Sequence, residues 1–504
     1  MASAQEERAM ISETVAPVLL AKTLGPFDLV VVFVGIVLFI TNSAGWQSAG
    51  PSVFIYLIAA YLTFFIPGAF VTAQLGNMFP EEGSIYVWTH KALGPFWGFF
   101  AGFVAWWPGP LVMVAAGALV VTLSQSINPD VFTRPWQATL IILAVVWFSA
   151  LMSILRQRVS QNYVNFQFYF YATALFVMGL AGFIFLWKGN PAANSFAGSH
   201  WNPFHYANLT IFGFAFLALL GIEVPLNMGV EIKSADSIRK YLLWGSAVVM
   251  FAYLWTTFAN MVVVPLEINN GTTGGVQTVQ IGITHWIGSL VGLVLIWFFV
   301  SAATIYNYSF ARLLFVSGLE KRLPHQIGQV NRNKVPANAV IMQTLLATVI
   351  AILFYYVLPT AGTDQNTPYF GLLASVNIIW ALSMLLLFAD VFFVKRLFRE
   401  RYEQARTIPD GLLRLCDAVG FIGSAAAIYT TFVSSWYAKS KDVPTGYTTP
   451  AWRVTLALVT VASALVAVVI YIISERVKRQ HAMAAVTAAS PGEDGGGGTS
   501  GPSG

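Results

Sequence analysis

The chain has 504 residues, 57% of them hydrophobic and 10% charged, with a mean hydropathy of +0.68. A soluble domain carries roughly 25% charged residues, so this composition excludes a soluble protein and implies a polytopic protein embedded in a lipid bilayer. One cysteine, Cys416, excludes an intrachain disulfide and a cysteine-based metal cluster, and the formal charge of +5 reports membrane orientation rather than affinity for nucleic acid.

Residues 1–26 are mixed and polar, without the short apolar core and small-residue cleavage site of a removable leader. The first apolar run, from Phe27, is therefore expected to target the chain. About twelve spans are predicted, at about 27–49, 52–77, 96–125, 137–155, 162–187, 209–230, 240–265, 284–314, 337–358, 369–394, 413–436 and 451–473. Both termini then share one side. That side holds 22 of the 27 lysines and arginines, which places the termini in the cytoplasm by the positive-inside rule and supports an even span count. Residues 475–504 are expected to form a disordered cytoplasmic tail, rich in Ala, Gly, Ser and Pro from Ala482 onward. Sequons at Asn208 and Asn270 fall on the outer side and matter only in a secretory pathway.

The first span ends its apolar run with Thr41, Asn42, Ser43, Ala44 and Gly45. A helix break there would expose backbone N–H groups suited to a carboxylate. In the third span, Trp106-Trp107-Pro108-Gly109-Pro110 predicts a bend, because two prolines remove donors around a glycine. The sixth span carries Gly213, Gly221, Pro225 and Gly229 and the ionisable Glu223, which is too interrupted for a plain anchor. Carbonyls freed by such a break suit an ammonium group, so the two breaks together describe a site for a zwitterion.

Interrupted spans at corresponding places in two halves point to an inverted-repeat transporter, although kinked packing helices would leave the same pattern. Glu223 lies roughly 20 Å into its span, near the midplane. A carboxylate there must be protonated, hydrogen-bonded or wetted, so Glu223 is a candidate for proton coupling or gating, or else a structural tie between helices. Asp390, near the end of the tenth span, is expected to face interfacial water. In the eighth span, Tyr306 and Asn307 are polar groups inside an apolar run, and Ser301 with Thr304 makes only a weak sodium site without a carboxylate. The six histidines lie in loops or near span ends, which argues against a membrane-embedded enzyme. No cofactor or metal is expected.

The run from Ala73 to Trp88, with Ala92-Leu93-Gly94-Pro95-Phe96-Trp97-Gly98-Phe99, resembles the loop after helix 2 in the amino acid, polyamine and organocation (APC) superfamily. Gly221-Ile222-Glu223 with Glu231, Ala311 to Pro324, and Val264 to Asn269 are similar to further family stretches, the last to one seen in the glutamate/GABA antiporter branch. The resemblance covers Phe27 to about Ser474. It implies an all-α, five-plus-five inverted repeat, with repeats at about 27–187 and 209–394 and extra helices at about 413–473. It also implies solute transport by alternating access. Substrate carboxylate would sit on the amides of Ser43, Ala44 and Gly45, and the amine on carbonyls around Ala218, Leu220 and Gly221, beside Tyr306 and near Gly109. Four positions depart from the family pattern: Ser43 replaces the usual Gly, Gln74 the usual Glu, Leu217 an aromatic gate, and Phe166 to Tyr169 hold no lysine. Without Lys or Arg near the midplane, a neutral amino acid or GABA-like amine is favoured, with a polyamine or other organic cation as the alternative. Oligomeric state has no signature in the sequence.

Overall fold

A computed structural model describes residues 9–204, 210–269, 271–357, 366–433 and 449–489. The sequons at Asn208 and Asn270 lie outside this set. Among the described residues the protein is helical, with eleven helices long and apolar enough to cross a membrane. A short helix α1 (Ile11–Leu19) precedes the first span. That span is split into α2 (Pro26–Val37) and the single turn α3 (Asn42–Gly45). The second, α4 (Ser52–Met78), passes through a wide π turn at Tyr61–Phe65, just before Pro67, whose ring cannot supply the backbone donor. A loop helix, α5 (Ser84–Leu93), leads to α6 (Pro95–Ile127), α7 (Pro135–Ser153) and α8 (Gln157–Trp187).

The sixth span is not a continuous helix. It consists of α9 (Thr210–Leu217), a non-helical crossing, and a 3-10 segment Val224–Glu231. Then follow α10 (Asp236–Val263), a second short helix α11 (Gly274–Gly282), α12 (His285–Leu319), α13 (Ala337–Val357), α14 (Asn366–Leu397), the short α15 (Arg399–Gln404), α16 (Asp410–Val433) and α17 (Thr449–Ala489). The last helix continues through residues expected to be disordered. Residues 475–489 include five alanines, two arginines and one each of Lys, Glu and Met, all favourable in helices, and this local propensity carries the helix on.

The first span is the axis of the molecule. Its most apolar window is 89% buried, against 17% for the last span, so the broken helix sits at the centre and α17 faces lipid. The start of α2 is fixed by Asp28. Its carboxylate accepts the Gly25 amide at 2.8 Å, closing the first turn, and also takes Arg158 at 2.8 Å and Asn165 Nδ2 at 2.7 Å from α8. In the third span, where a bend is expected, the helix is interrupted at Trp107, which keeps right-handed helical φ and ψ of −53° and −36° while Pro108 and Pro110 supply no amide. Gly109 lets α6 approach α12 closely, since a Cβ there would lie 2.9 Å from the Cβ of Phe310.

The expectation for Asp390 fails. Asp390 is fully buried rather than at interfacial water, because α5 folds under α14 and Thr89 donates to its Oδ2 at 2.6 Å.

Candidate functional site

The two breaks leave complementary backbone groups. In the first span, helical bonding stops at Leu38, whose amide reaches Val34, and restarts with Asn42 on Phe39, Ser43 on Ile40 and Ala44 on Thr41. The amides of Ser43 and Ala44, expected to be open, are thus used inside the turn. The Ile40 amide meets the Tyr171 phenol, and that of Thr41 has no backbone acceptor among the described residues. In the sixth span, Ala218 bonds to Phe214, Leu219 to Phe216 and Leu220 to Leu217, and the chain then reverses through Gly221 at φ +108°. This leaves the carbonyls of Ala218, Leu219 and Leu220 without backbone donors among the described residues. Positive φ and packing both require glycine at 221, where a Cβ would sit 2.4 Å from Ile36 Cγ2 and 3.2 Å from Trp380 Cη2.

Beside the breaks lies a narrow cavity of about 20 Å³, room for about one water. Ile36, Val37, Phe39 and Asn42 line it from the first span, Val112 from α6, Leu217 from α9, Tyr306 from α12, and Leu373, Val376 and Trp380 from α14. None of these residues carries a charge. Of the sequence-predicted residues, Asn42 and Tyr306 reach this lining. Thr41 adjoins it in sequence, with its hydroxyl beside the Tyr369 phenol of α14. Ser43 turns its hydroxyl back onto Ile40 O at 2.7 Å, Ala44 O accepts from Asn269 at 2.8 Å, and Gly45 packs under the Phe214 ring. Gly109 lies against Phe310, one ring removed from the cavity: Phe310 stacks on Tyr306 at 5.0 Å and 9°.

Tyrosines satisfy the carbonyls that the first break frees. Tyr306 donates to Ile36 O at 3.0 Å, Tyr253 of α10 to Val37 O at 2.9 Å, and Tyr171 of α8 to Leu38 O at 2.5 Å. Three phenols from three helices therefore hold the broken strand in place, where a buried carbonyl left alone would cost about 1–3 kcal/mol. Glu223 is buried behind the cavity. Its Oε1 accepts the Trp380 indole N–H at 2.9 Å, and its Oε2 has no hydrogen-bond partner among the described residues. It is tied to the cavity wall through Trp380, which lines the cavity. In the eighth span, Thr304 bonds back to Val300 O at 3.2 Å and Ser301 Oγ has no partner among the described residues.

Packed clusters lie along the spans on either side of the breaks. Toward α1, Arg312 bonds Glu231 Oε1 through Nε at 2.9 Å and Nη2 at 2.7 Å, Gln157 at 3.1 Å and Tyr308 O at 3.0 Å, with Glu82 3.5 Å away. Arg312, Glu82 and Glu231 are all buried, and burial together with the neighbouring Glu231 pushes the Glu82 carboxyl well above its ordinary range. The chain after α1 closes over them: Thr23 and Leu24 amides both reach Glu231 O at 2.9 Å, and Lys233 N reaches Leu24 O at 3.0 Å. At the opposite end, Trp46, Phe214 and Phe370 pack edge to face, with centroids 5.6 and 6.0 Å apart.

Sequence reasoning missed most of the lining, because Ile36, Val37, Val112, Leu373 and Val376 read as ordinary lipid-phase residues. Trp380 did carry a signal. An indole N–H in mid-span needs an acceptor, whereas tryptophan in membrane proteins is enriched at the interfaces.

The amino acid permease family profile matches residues 24–462. An uncharacterised transporter of Legionella pneumophila is 24% identical over 76% of this chain and 84% of its own. A glutamate/gamma-aminobutyrate antiporter of Lactococcus lactis is 23% identical over 75% of this chain and 77% of its own. A polyamine transporter of Oryza sativa is 27% identical over 64% of this chain, which spans only 53% of that relative. With the profile covering most of the length and eleven helices among the described residues long and apolar enough to cross a bilayer, the chain belongs to the amino acid permease family of the APC superfamily, and it is a membrane transporter.

Proposed function

We propose that the protein carries amino acids or closely related amines across the cell membrane by alternating access, with both termini in the cytoplasm. The observation that carries this reading is that both breaks adjoin one cavity, lined by Phe39 and Asn42 from the first and Leu217 from the sixth, while the Thr41 amide and the carbonyls of Ala218, Leu219 and Leu220 next in sequence have no backbone partner among the described residues. The amide suits a carboxylate and the carbonyls an ammonium group, so each end of a zwitterion meets the opposite partial charge. The uncharged lining favours a neutral amino acid or GABA-like amine over an obligate anion. At about 20 Å³ the cavity must widen to admit any of these, and the packed clusters on either side of the breaks then act as alternate gates. Repeats at about 27–187 and 209–394 would move relative to each other, since the two breaks occupy the first and sixth spans.

A polyamine or other organic cation is the second reading, favoured by the rings of Tyr306 and Trp380 facing the cavity and by the similarity to a plant polyamine transporter. Liposomes holding the purified protein should take up or exchange a labelled neutral amino acid. Indifference to a broad panel of amino acids and amines would sink the proposal, and a response to polyamines alone would select the second reading. Glu223 is proposed to couple protons through Trp380. Glu223→Gln keeps an acceptor for the indole, so it should fold yet shift the pH dependence of transport. An unchanged profile would reduce Glu223 to a structural tie.

A further inference from the structure

A second cavity lies outside the transport path, on the arginine-rich face. It measures about 580 Å³ and sits between the ends of α4 and α10 and the segment after α14. Arg239, Arg401 and Arg406 line it against a single carboxylate, Asp236. Asp236 is shared, with Lys240 at 2.6 Å and Arg239 at 3.5 Å, and Arg406 leans on Glu403 at 3.2 Å. Arg401 has its guanidinium over the Phe79 ring at 5.7 Å and no carboxylate within ion-pair distance among the described residues. The 28-residue helix α10 begins at this cavity without a side-chain cap, which adds the positive end of its dipole.

The arginines stand on a fixed rim. Gln74, fully buried in α4, donates Nε2 to Tyr402 O at 3.0 Å and accepts the Thr407 amide on Oε1 at 3.2 Å, so both ends of its amide clamp the segment carrying Arg406. An ionised glutamate could not make the first of these bonds. Below the clamp, Asp410 takes the Tyr402 hydroxyl at 2.7 Å and Arg414 at 2.6 Å. From Arg239 an exposed apolar line runs into the membrane along one face of α10, through Leu243, Ala247 and Phe251 at four-residue spacing.

We propose that this cavity binds the phosphate headgroup of an anionic phospholipid, with an acyl chain laid along Leu243 and Phe251. A cluster of guanidiniums on a clamped backbone rim matches phosphate geometry, and basic pockets between spans on the inner leaflet are suited to such headgroups. The apolar line is what favours a lipid over a free phosphate. The site is independent of which solute is transported.

The test measures thermal unfolding of the full-length protein in detergent, titrated separately with phosphatidylglycerol, phosphatidylcholine and inorganic phosphate. Phosphatidylglycerol should stabilise the wild type saturably, and phosphatidylcholine should not. The double variant Arg401→Gln with Arg406→Gln should shift the phosphatidylglycerol midpoint at least about tenfold, Leu243→Gln should weaken it too, and Arg332→Gln, an exposed arginine outside the cavity, should leave it unchanged. An unshifted midpoint in the double variant, an equal response to phosphatidylcholine, or equal stabilisation by inorganic phosphate alone would overturn the proposal.

Discussion

Replacing Gly221 by alanine should damage both stability and transport, and the size of each effect follows from the crossing point of the two broken spans. Backbone at φ +108° is strained for any residue with a Cβ, at a cost of about 1–3 kcal/mol. The added methyl would also stand 2.4 Å from Ile36 Cγ2 and 3.2 Å from Trp380. Overpacking of this kind costs about 1–3 kcal/mol more. The total, about 2–6 kcal/mol, is a large part of a typical stability of about 5–15 kcal/mol. Ile36 and Trp380 both line the transport cavity, so relief of the clash deforms the site itself. Thermal unfolding in detergent and uptake into liposomes read the two consequences. Gly68→Ala is the control, because its new methyl would meet Ile222 at an ordinary 3.5 Å within α4 and should be neutral or mildly stabilising. Ile36→Leu, which moves the branch away from Cβ, should restore part of the loss in combination with Gly221→Ala. A Gly221→Ala protein that melts and transports as the wild type does would refute the reasoning.

Three further outcomes are expected. Arg312→Gln leaves Glu82 and Glu231 buried together without their cation and should cost about 3–5 kcal/mol, whereas Glu82→Gln should cost far less, because the Arg312–Glu231 bond survives and Glu82 is already pushed toward its neutral form; equal melting losses would contradict the assignment of Glu231 as the main partner. Burial raises Glu81 from an ordinary 4.5 to about 7, so its favourable contribution is complete below about pH 4.5 and is lost as pH rises through about 7, by at most about 3 kcal/mol. Glu81→Gln should therefore melt above the wild type at pH 8 and alongside it near pH 5, and a constant offset would disprove the linkage. Tyr171→Phe keeps the ring stacked on Phe298, 3.7 Å away and nearly parallel, while removing the donor to Leu38 O. It should cost about 1–3 kcal/mol and lower uptake, and unaltered uptake would show that the first break does not need its phenol.

The sequence alone determined the membrane class, because 57% hydrophobic and 10% charged residues can be buried only in lipid. It also placed the long spans and both broken ones, since Gly, Pro and small polar residues interrupt an apolar run locally. The motifs from Ala73 to Pro324 carried the family for the same reason: they are contiguous, and contiguity survives in a linear reading. Only the tertiary structure decided which groups at the breaks are free. Whether the Ser43 amide is open or already bonded to Ile40 depends on how tightly the turn closes, and that is set by phenols donated from α8, α10 and α12. Glu223 illustrates the limit. Its depth follows from counting residues, but its partner, Trp380, lies 157 positions away, and only the packing of α14 against the crossing brings the two to 2.9 Å. Gln74 shows the same thing at the arginine-rich face, where a departure from the family's usual glutamate becomes intelligible once its amide is seen holding Tyr402 and Thr407. Local chemistry fixed where the helices break, and long-range packing fixed which atoms the breaks leave for a substrate.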